Sequence, residues 1–186
     1  MVFHTVMDPR AISMVTFDTA LGRCAVRWGE AGITGVILPS GSGRPGPAYE
    51  DEDGAPVPPF VRLATEGMVA LLAGGSPDLP DLRTVPLDER GLDDLRRAVY
   101  AATREIPPGQ TRSYGDVARA IGRLDGAREV GAALARNPYP ILVPCHRVVA
   151  ANGALTGFSA PGGLATKRRM LELEGTPGYG QQVLFG

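Results

Sequence analysis

The hydrophobic pattern of this chain changes period part-way along, and that change constrains its fold more than any other feature. Between residues 12 and 38 apolar and polar residues alternate as in half-buried strands: Ile12 to Phe17, Cys24 to Trp28 and Thr34 to Leu38. Turn signals at Leu21-Gly22 and Gly29-Glu30-Ala31-Gly32 separate them, which predicts a small antiparallel meander. From residue 61 onward the apolar residues fall at helical spacing instead. The expected fold class is therefore α+β. A small N-terminal β-sheet domain with a helix spans 1–90, a mostly helical domain spans 91–175, and an irregular tail occupies 176–186.

Within that frame, residues 39–59 are rich in Gly, Pro and acids and read as a mobile loop. Val61 to Ala73 reads as a helix stopped by Gly74-Gly75, and 74–90 as a connector. Leu92 to Glu105 carries Leu92, Leu95, Ala98, Val99 and Ala102 on one face. Ser113 is a cap for a helix from Tyr114 to Ile121, with Asp116 in its first turn. A turn at Arg123-Leu124-Asp125 leads to a helix from Gly126 to Arg136, closed by Asn137-Pro138. Two short helices about a tight turn form a helix-turn-helix pattern, although taken alone an ordinary helical hairpin in a core is the better description. Asn152-Gly153 predicts a hairpin turn between Val148-Val149 and Ala154-Leu155. Thr156 to Gly163 is a loop. Leu164 to Leu173 is a last helix with Lys167-Arg168-Arg169 expected on its exposed side.

Charge divides along the same line. Residues 1–90 hold 7 Lys+Arg and 12 Asp+Glu, a net of −5, whereas 91–186 hold 12 and 8, a net of +4. A basic second half suits contact with a polyanion, and scatter of solvated charge gives the same numbers. No apolar run approaches the roughly 20 residues that cross a bilayer. The N-terminus lacks the pattern of a signal peptide. Two Cys are too few for a disulfide framework, so a reducing cytoplasm is the expected setting. Cys24 and His4 are the only soft ligands outside the motif described next, so no metal site is expected.

Chemistry concentrates at Pro144-Cys145-His146-Arg147-Val148, which holds one of the two Cys and one of the two His. A thiol is a strong nucleophile only as thiolate, and a neighbouring base or cation makes it one. Neighbours in an extended chain point to opposite faces, so a direct Cys145–His146 bond is not assured.

The ordered set Ser113-Tyr114, Ala127-Arg128-Glu129-Val130-Gly131, Arg136-Asn137-Pro138, Ile141 to Val149, Gly162-Gly163-Leu164-Ala165 and Leu173-Glu174-Gly175 resembles the O6-alkylguanine-DNA alkyltransferases. These proteins are also called methylated-DNA–protein-cysteine methyltransferases. The match covers 91–175, and residues 1–90 follow the family loosely, through the opening strands. The resemblance implies a single-turnover repair reaction. Cys145 would take the alkyl group from O6-alkylguanine, and from O4-alkylthymine, in double-stranded DNA, with no cofactor. His146 would take the thiol proton through a water, and Glu174 would orient His146. Tyr114 would contact the base and donate to it. Ser159 would close over O6, and the carbonyls of Cys145 and Val148 would accept from the exocyclic amine. Asn137 would tie its turn to the active-site turn. Arg128 would fill the gap left by an extruded nucleotide. Gly131, Ala132, Ala133 and Ala135 make a slim helix for the minor groove. Phe158 would wall the alkyl pocket, and Ala160-Pro161 lengthens that loop. Arg136 and Arg147 are read as phosphate contacts. The expected protein is a monomer, cytoplasmic and nucleoid-associated in a prokaryote, with cooperative assembly on DNA left open. Three rivals are a binder of alkylated DNA without transfer, a Cys-His hydrolase, and a helix-turn-helix regulator. Cys145 opposes the first, and no motif supports the second. Sequence-specific binding to undamaged DNA would mark the third.

Overall fold

The computed structural model describes residues 13–39, 57–74 and 80–180. His4, Ile12, most of the 39–59 loop, residues 75–79 of the connector and 181–186 of the tail lie outside the described residues. Three strands, β1 (Ser13–Thr19), β2 (Gly22–Gly29) and β3 (Gly32–Ile37), form an antiparallel sheet in the order β1-β2-β3. Phe17 lies opposite Cys24 and Val26 opposite Val36, so alternate residues share the buried face. Helix α1 (Pro59–Leu72) starts at a proline, where a missing N–H costs nothing, and buries Val61, Ala64, Met68, Leu71 and Leu72.

The connector after α1 is not featureless. A 3-10 turn at Leu82–Thr84 leads into a stretch that lies against β3: Ile33 N donates to Pro86 O at 2.9 Å, and Asp88 N to Ile33 O at 2.8 Å. Gly32 permits this approach. Its φ is +132°, and a Cβ there would lie 2.5 Å from the Pro86 carbonyl oxygen.

Helix α2 (Asp94–Arg104) is capped by Asp93, whose carboxylate accepts from Arg96 N at 2.8 Å. Helix α3 (Tyr114–Ala120) opens on a capping box between Ser113 and Asp116. A turn through Gly122 joins it to α4 (Ala127–Leu134), and the buried Tyr100 hydroxyl on α2 donates to Ala133 O at 3.1 Å. One buried cluster runs from Val26 and Trp28 on the sheet through Met68 and Val99 to Val143 and Cys145.

Two expectations change here. The backbone does turn at 150–154, with Ala150 N donating to Ala154 O at 3.0 Å, but Ala154-Leu155 forms no strand. Instead β5 (Val148–Val149) pairs in parallel with β4 (Arg112–Ser113), a partner 36 positions upstream across the register Arg112–Val148. Helix α5 (Gly163–Leu173) supplies the second correction. Lys167 is fully buried with Met170 and Leu171, and only Arg168 and Arg169 of that basic run are exposed.

Candidate active site

The segment leading to Cys145 is held by one amide. Asn137 Oδ1 accepts from Tyr139 N and its Nδ2 donates to Val143 O, both at 2.9 Å, so the side chain staples the two sides of a tight loop. Tyr139 O accepts from Val143 N at 2.8 Å across the same loop. Closing it puts Ile141 at φ +75°, a left-handed conformation that a β-branched residue adopts at a cost of about 1–3 kcal/mol. The loop is also tied to the sheet: Val36 N on β3 donates to Pro138 O at 2.8 Å. Gly35 allows that approach, since a Cβ there would lie 3.2 Å from the Arg27 guanidinium and 3.4 Å from Pro138 O.

Cys145–Arg147 is a 3-10 turn and not the extended stretch expected, so successive side chains fan out around it. Cys145 is 8% exposed, and both His146 and Arg147 are buried. His146 Nε2 lies 2.8 Å from Glu174 Oε1. Glu174 also accepts two bonds from Arg147, Nε to Oε2 at 2.8 Å and Nη2 to Oε1 at 2.7 Å. The third side of the Arg147 fork donates to Ile106 O at 2.6 Å. Arg147 is thus fully engaged inside the protein, which corrects its reading as a phosphate contact.

Burial alone would raise the Glu174 carboxyl, but His146 and Arg147 override it and hold the group at about 2. The carboxylate therefore accepts from His146 Nε2–H, leaving Nδ1 with its lone pair. Nδ1 is buried with no hydrogen-bond partner among the described residues. Burial pushes the His146 pKa down against the pull of Glu174, so the ring is neutral near pH 7. Burial likewise raises the Cys145 thiol, while the Asn137 amide and the Lys167 ammonium favour the thiolate. The resting sulfur is a protonated thiol beside a neutral imidazole.

Cys145 opens into a cavity of about 230 Å³. Asn137, Pro140, Phe158 and Ser159 share its lining with Val36, Ile37 and Leu38 of the sheet. Ser159 Oγ donates to Ala135 O at 2.8 Å, which fastens the loop to the end of α4. Tyr114 lies at the start of α3, and its hydroxyl donates to Thr156 O at 3.2 Å. Lys167, missed as a site residue, donates to the same Thr156 O at 3.0 Å and to Val148 O at 2.6 Å, with its ammonium 5.8 Å from the Tyr114 ring centre. The Val148 carbonyl is therefore already engaged, as is that of Cys145, which accepts from Val148 N. Burial lowers the Lys167 pKa to about 8 against the pull of Cys145. The signal for Lys167 was its spacing of three and four from Met170 and Leu171, which puts it on the buried face of α5.

Helix α4 presents its slim face outward. Arg128, Ala132, Ala135 and Arg136 are exposed, while Val130, Ala133 and Leu134 face inward, which removes Ala133 from the slim surface. The exposed guanidiniums of Arg128 and Arg136 make no hydrogen bond or ion pair with described residues, whereas Arg123 and Glu129 pair at 2.6 Å. Gly131 faces the Tyr114 ring, 3.8 Å from where a Cβ would stand. A second cavity of about 450 Å³ lies against Pro144 and Arg147 and shares no lining residue with the first. Among the described residues no three His, Cys, Asp or Glu cluster as metal ligands, and no helix is long and apolar enough to cross a membrane.

The profile of the 6-O-methylguanine DNA methyltransferase, DNA binding domain, matches residues 94–176. A methylated-DNA–protein-cysteine methyltransferase from Methanosarcina acetivorans is 35% identical over 163 residues, 86% of this chain and 96% of the relative. One of the same name from Mycobacterium bovis is 48% identical over 101 residues, 54% of this chain and 59% of that protein. Among solved structures, Mycobacterium tuberculosis OGT in complex with DNA superposes with a TM-score of 0.67 at 34% identity, covering 89% of this chain and 96% of that one. With the cysteine turn inside the matched region and similarity extending through the sheet, the chain belongs to the methylated-DNA–protein-cysteine methyltransferase family.

Proposed function

We propose that this chain repairs alkylated DNA by direct reversal, with Cys145 taking the alkyl group from guanine O6, or thymine O4, in one irreversible turnover. The observation that carries the reading is a buried thiol at an apolar cavity with His146, Glu174 and Arg147 packed behind it. The thiol passes its proton, relayed by a water, to the free lone pair of His146 Nδ1. Sulfur attacks the alkyl carbon, the C–O bond breaks, and its electron pair goes to the base. The base takes up a proton through the Tyr114 hydroxyl, which balances the one the thiol lost. The resulting thioether offers no leaving group, so the protein is consumed.

The target atom lies inside a duplex and is reached by extruding its nucleotide. In this reading α3 and α4 act as a helix-turn-helix in a DNA-binding unit that begins near residue 91, with α4 in the minor groove. Arg128 fills the vacated stack, and Ala132 and Ala135 let the helix approach. Arg136 contacts phosphate. Phe158 and Ser159 close on the flipped base, and Asn137 keeps the cysteine turn in register with α4. The protein acts as a monomer in the cytoplasm, associated with the nucleoid in a prokaryote. The test is a duplex carrying one O6-methylguanine, followed by peptide mass mapping. One methyl on Cys145 per molecule is expected. Cys145→Ser is expected to lower transfer by about a thousandfold or more, because a serine hydroxyl beside His146 is a far weaker nucleophile toward an alkyl carbon. Repeated turnover, or damage-specific binding with no adduct, overturns the reading.

A further inference from the structure

We infer that Ile37, at the end of β3, is a specificity-determining residue that sets how large an alkyl group Cys145 accepts. The inference rests on the transfer reaction proposed above and deepens it. The cavity at the thiol is built from two parts of the chain. One side is the loop Phe158-Ser159-Ala160-Pro161, and the other is Val36-Ile37-Leu38. The loop side is held by two side-chain bonds, Ser159 Oγ to Ala135 O and Thr166 Oγ1 to Pro161 O. The strand side belongs to the sheet, and Val36 N bonds directly to the loop that carries Cys145. It is the less yielding of the two walls.

Val36 and Leu38 are buried and belong to the core, whereas Ile37 is a large apolar residue left 43% exposed. Burial in the core therefore does not account for it, and lining the cavity does. The cavity of about 230 Å³ takes the edge of the flipped base together with its alkyl group, so the alkyl chain is limited by the space its walls leave beyond O6. Each further methylene that finds apolar wall gains by leaving water, and one that meets a wall too soon is excluded. Shortening Ile37 lengthens the space open to the alkyl chain, and enlarging it shortens that space.

The test compares single-turnover adduct formation on duplexes carrying O6-methylguanine or O6-n-butylguanine in wild type, Ile37→Ala and Ile37→Trp. Ile37→Ala is expected to raise the butyl-to-methyl rate ratio on the order of tenfold and Ile37→Trp to lower it similarly, each ratio being taken within one protein so that a change common to both substrates cancels. Because Ile37 is partly exposed, both variants are expected to fold, and Trp28 fluorescence on the Ile37→Ala protein verifies it. An unchanged ratio in both variants overturns the inference while wild-type methyl transfer leaves the repair reading intact. Absence of a Cys145 adduct in wild type overturns the repair reading itself, and this inference with it.

Discussion

Two cavities flank the turn that carries Cys145, and the larger, at about 450 Å³, does not touch the thiol. The smaller, at about 230 Å³, has Cys145 in its wall. The front cavity is lined by a strand end and a loop, with an unengaged imidazole nitrogen buried next to the thiol in the chain. The rear one is lined by guanidiniums that only donate and are largely bonded already, Arg104 Nε being buried without a partner among the described residues. Arg104 at its edge gives Nη2 to the carbonyls of Leu82, Arg83 and Val85, at 2.8, 3.0 and 2.9 Å, and Arg147 is held by Glu174 and Ile106. Volume locates empty space, while this chemistry is located by a thiol and a neighbouring nitrogen that keeps its lone pair. The front of the turn should govern rate and selectivity, and the rear should govern whether the turn exists.

The largest effect that tests this division is at the rear. Arg147→Met leaves the buried Glu174 carboxylate without its bidentate partner and is expected to cost about 3–5 kcal/mol, read from urea unfolding. A loss below about 1 kcal/mol would mean the rear does not hold the turn. Leu71→Ala, also at the rear, is expected to cost about 2–3 kcal/mol while leaving the butyl-to-methyl ratio unchanged. A shifted ratio would break the division, because the rear cavity would then be shaping the front.

Lys167 lines neither cavity, and its effects are smaller. Lys167→Met removes a cation that favours the Cys145 thiolate and frees the Val148 and Thr156 carbonyls, so adduct formation near pH 7 should slow on the order of tenfold. Lys167→Arg, keeping the charge, should recover part of that rate. The pH dependence of stability carries a definite sign. The folded pKa of Lys167, about 8, lies below the ordinary 10.5, so between these values the unfolded chain binds more protons. Wild-type stability should therefore gain on that of Lys167→Met as pH rises from about 8 to about 10, in urea unfolding at matched salt. A flat difference would mean Lys167 is not held as a depressed ammonium.

The sequence revealed different parts of this molecule for different reasons. The meander and α1 follow from local alternation and helical spacing, and α3 from a capping box that uses four consecutive residues. The β4–β5 pairing was not legible, because two-residue strands far apart carry no periodic signal. Cys145 and His146 were legible as a rare pair, and Glu174 through family resemblance. The inward path of Arg147 was not, since a basic residue beside a site reads as a surface charge until its carboxylate is placed. Lys167 was legible in principle: its helical spacing was the better guide than its membership in a run of three basic residues. Ile37 carried no local signal, as its meaning depends on a loop more than 120 residues away.

The bond from Val36 N to Pro138 O also bears on how the protein melts. It attaches the sheet to the loop that positions the thiol, within one continuous buried cluster. The sheet therefore cannot open fully while the cysteine turn keeps all its native bonds. Trp28, the chain's one tryptophan and 7% exposed, reports the sheet, and the buried thiol of Cys145 reports the turn. Loss of Trp28 burial and gain of Cys145 reactivity toward a thiol reagent should share one midpoint, so this protein unfolds as a single cooperative unit despite its acidic and basic halves.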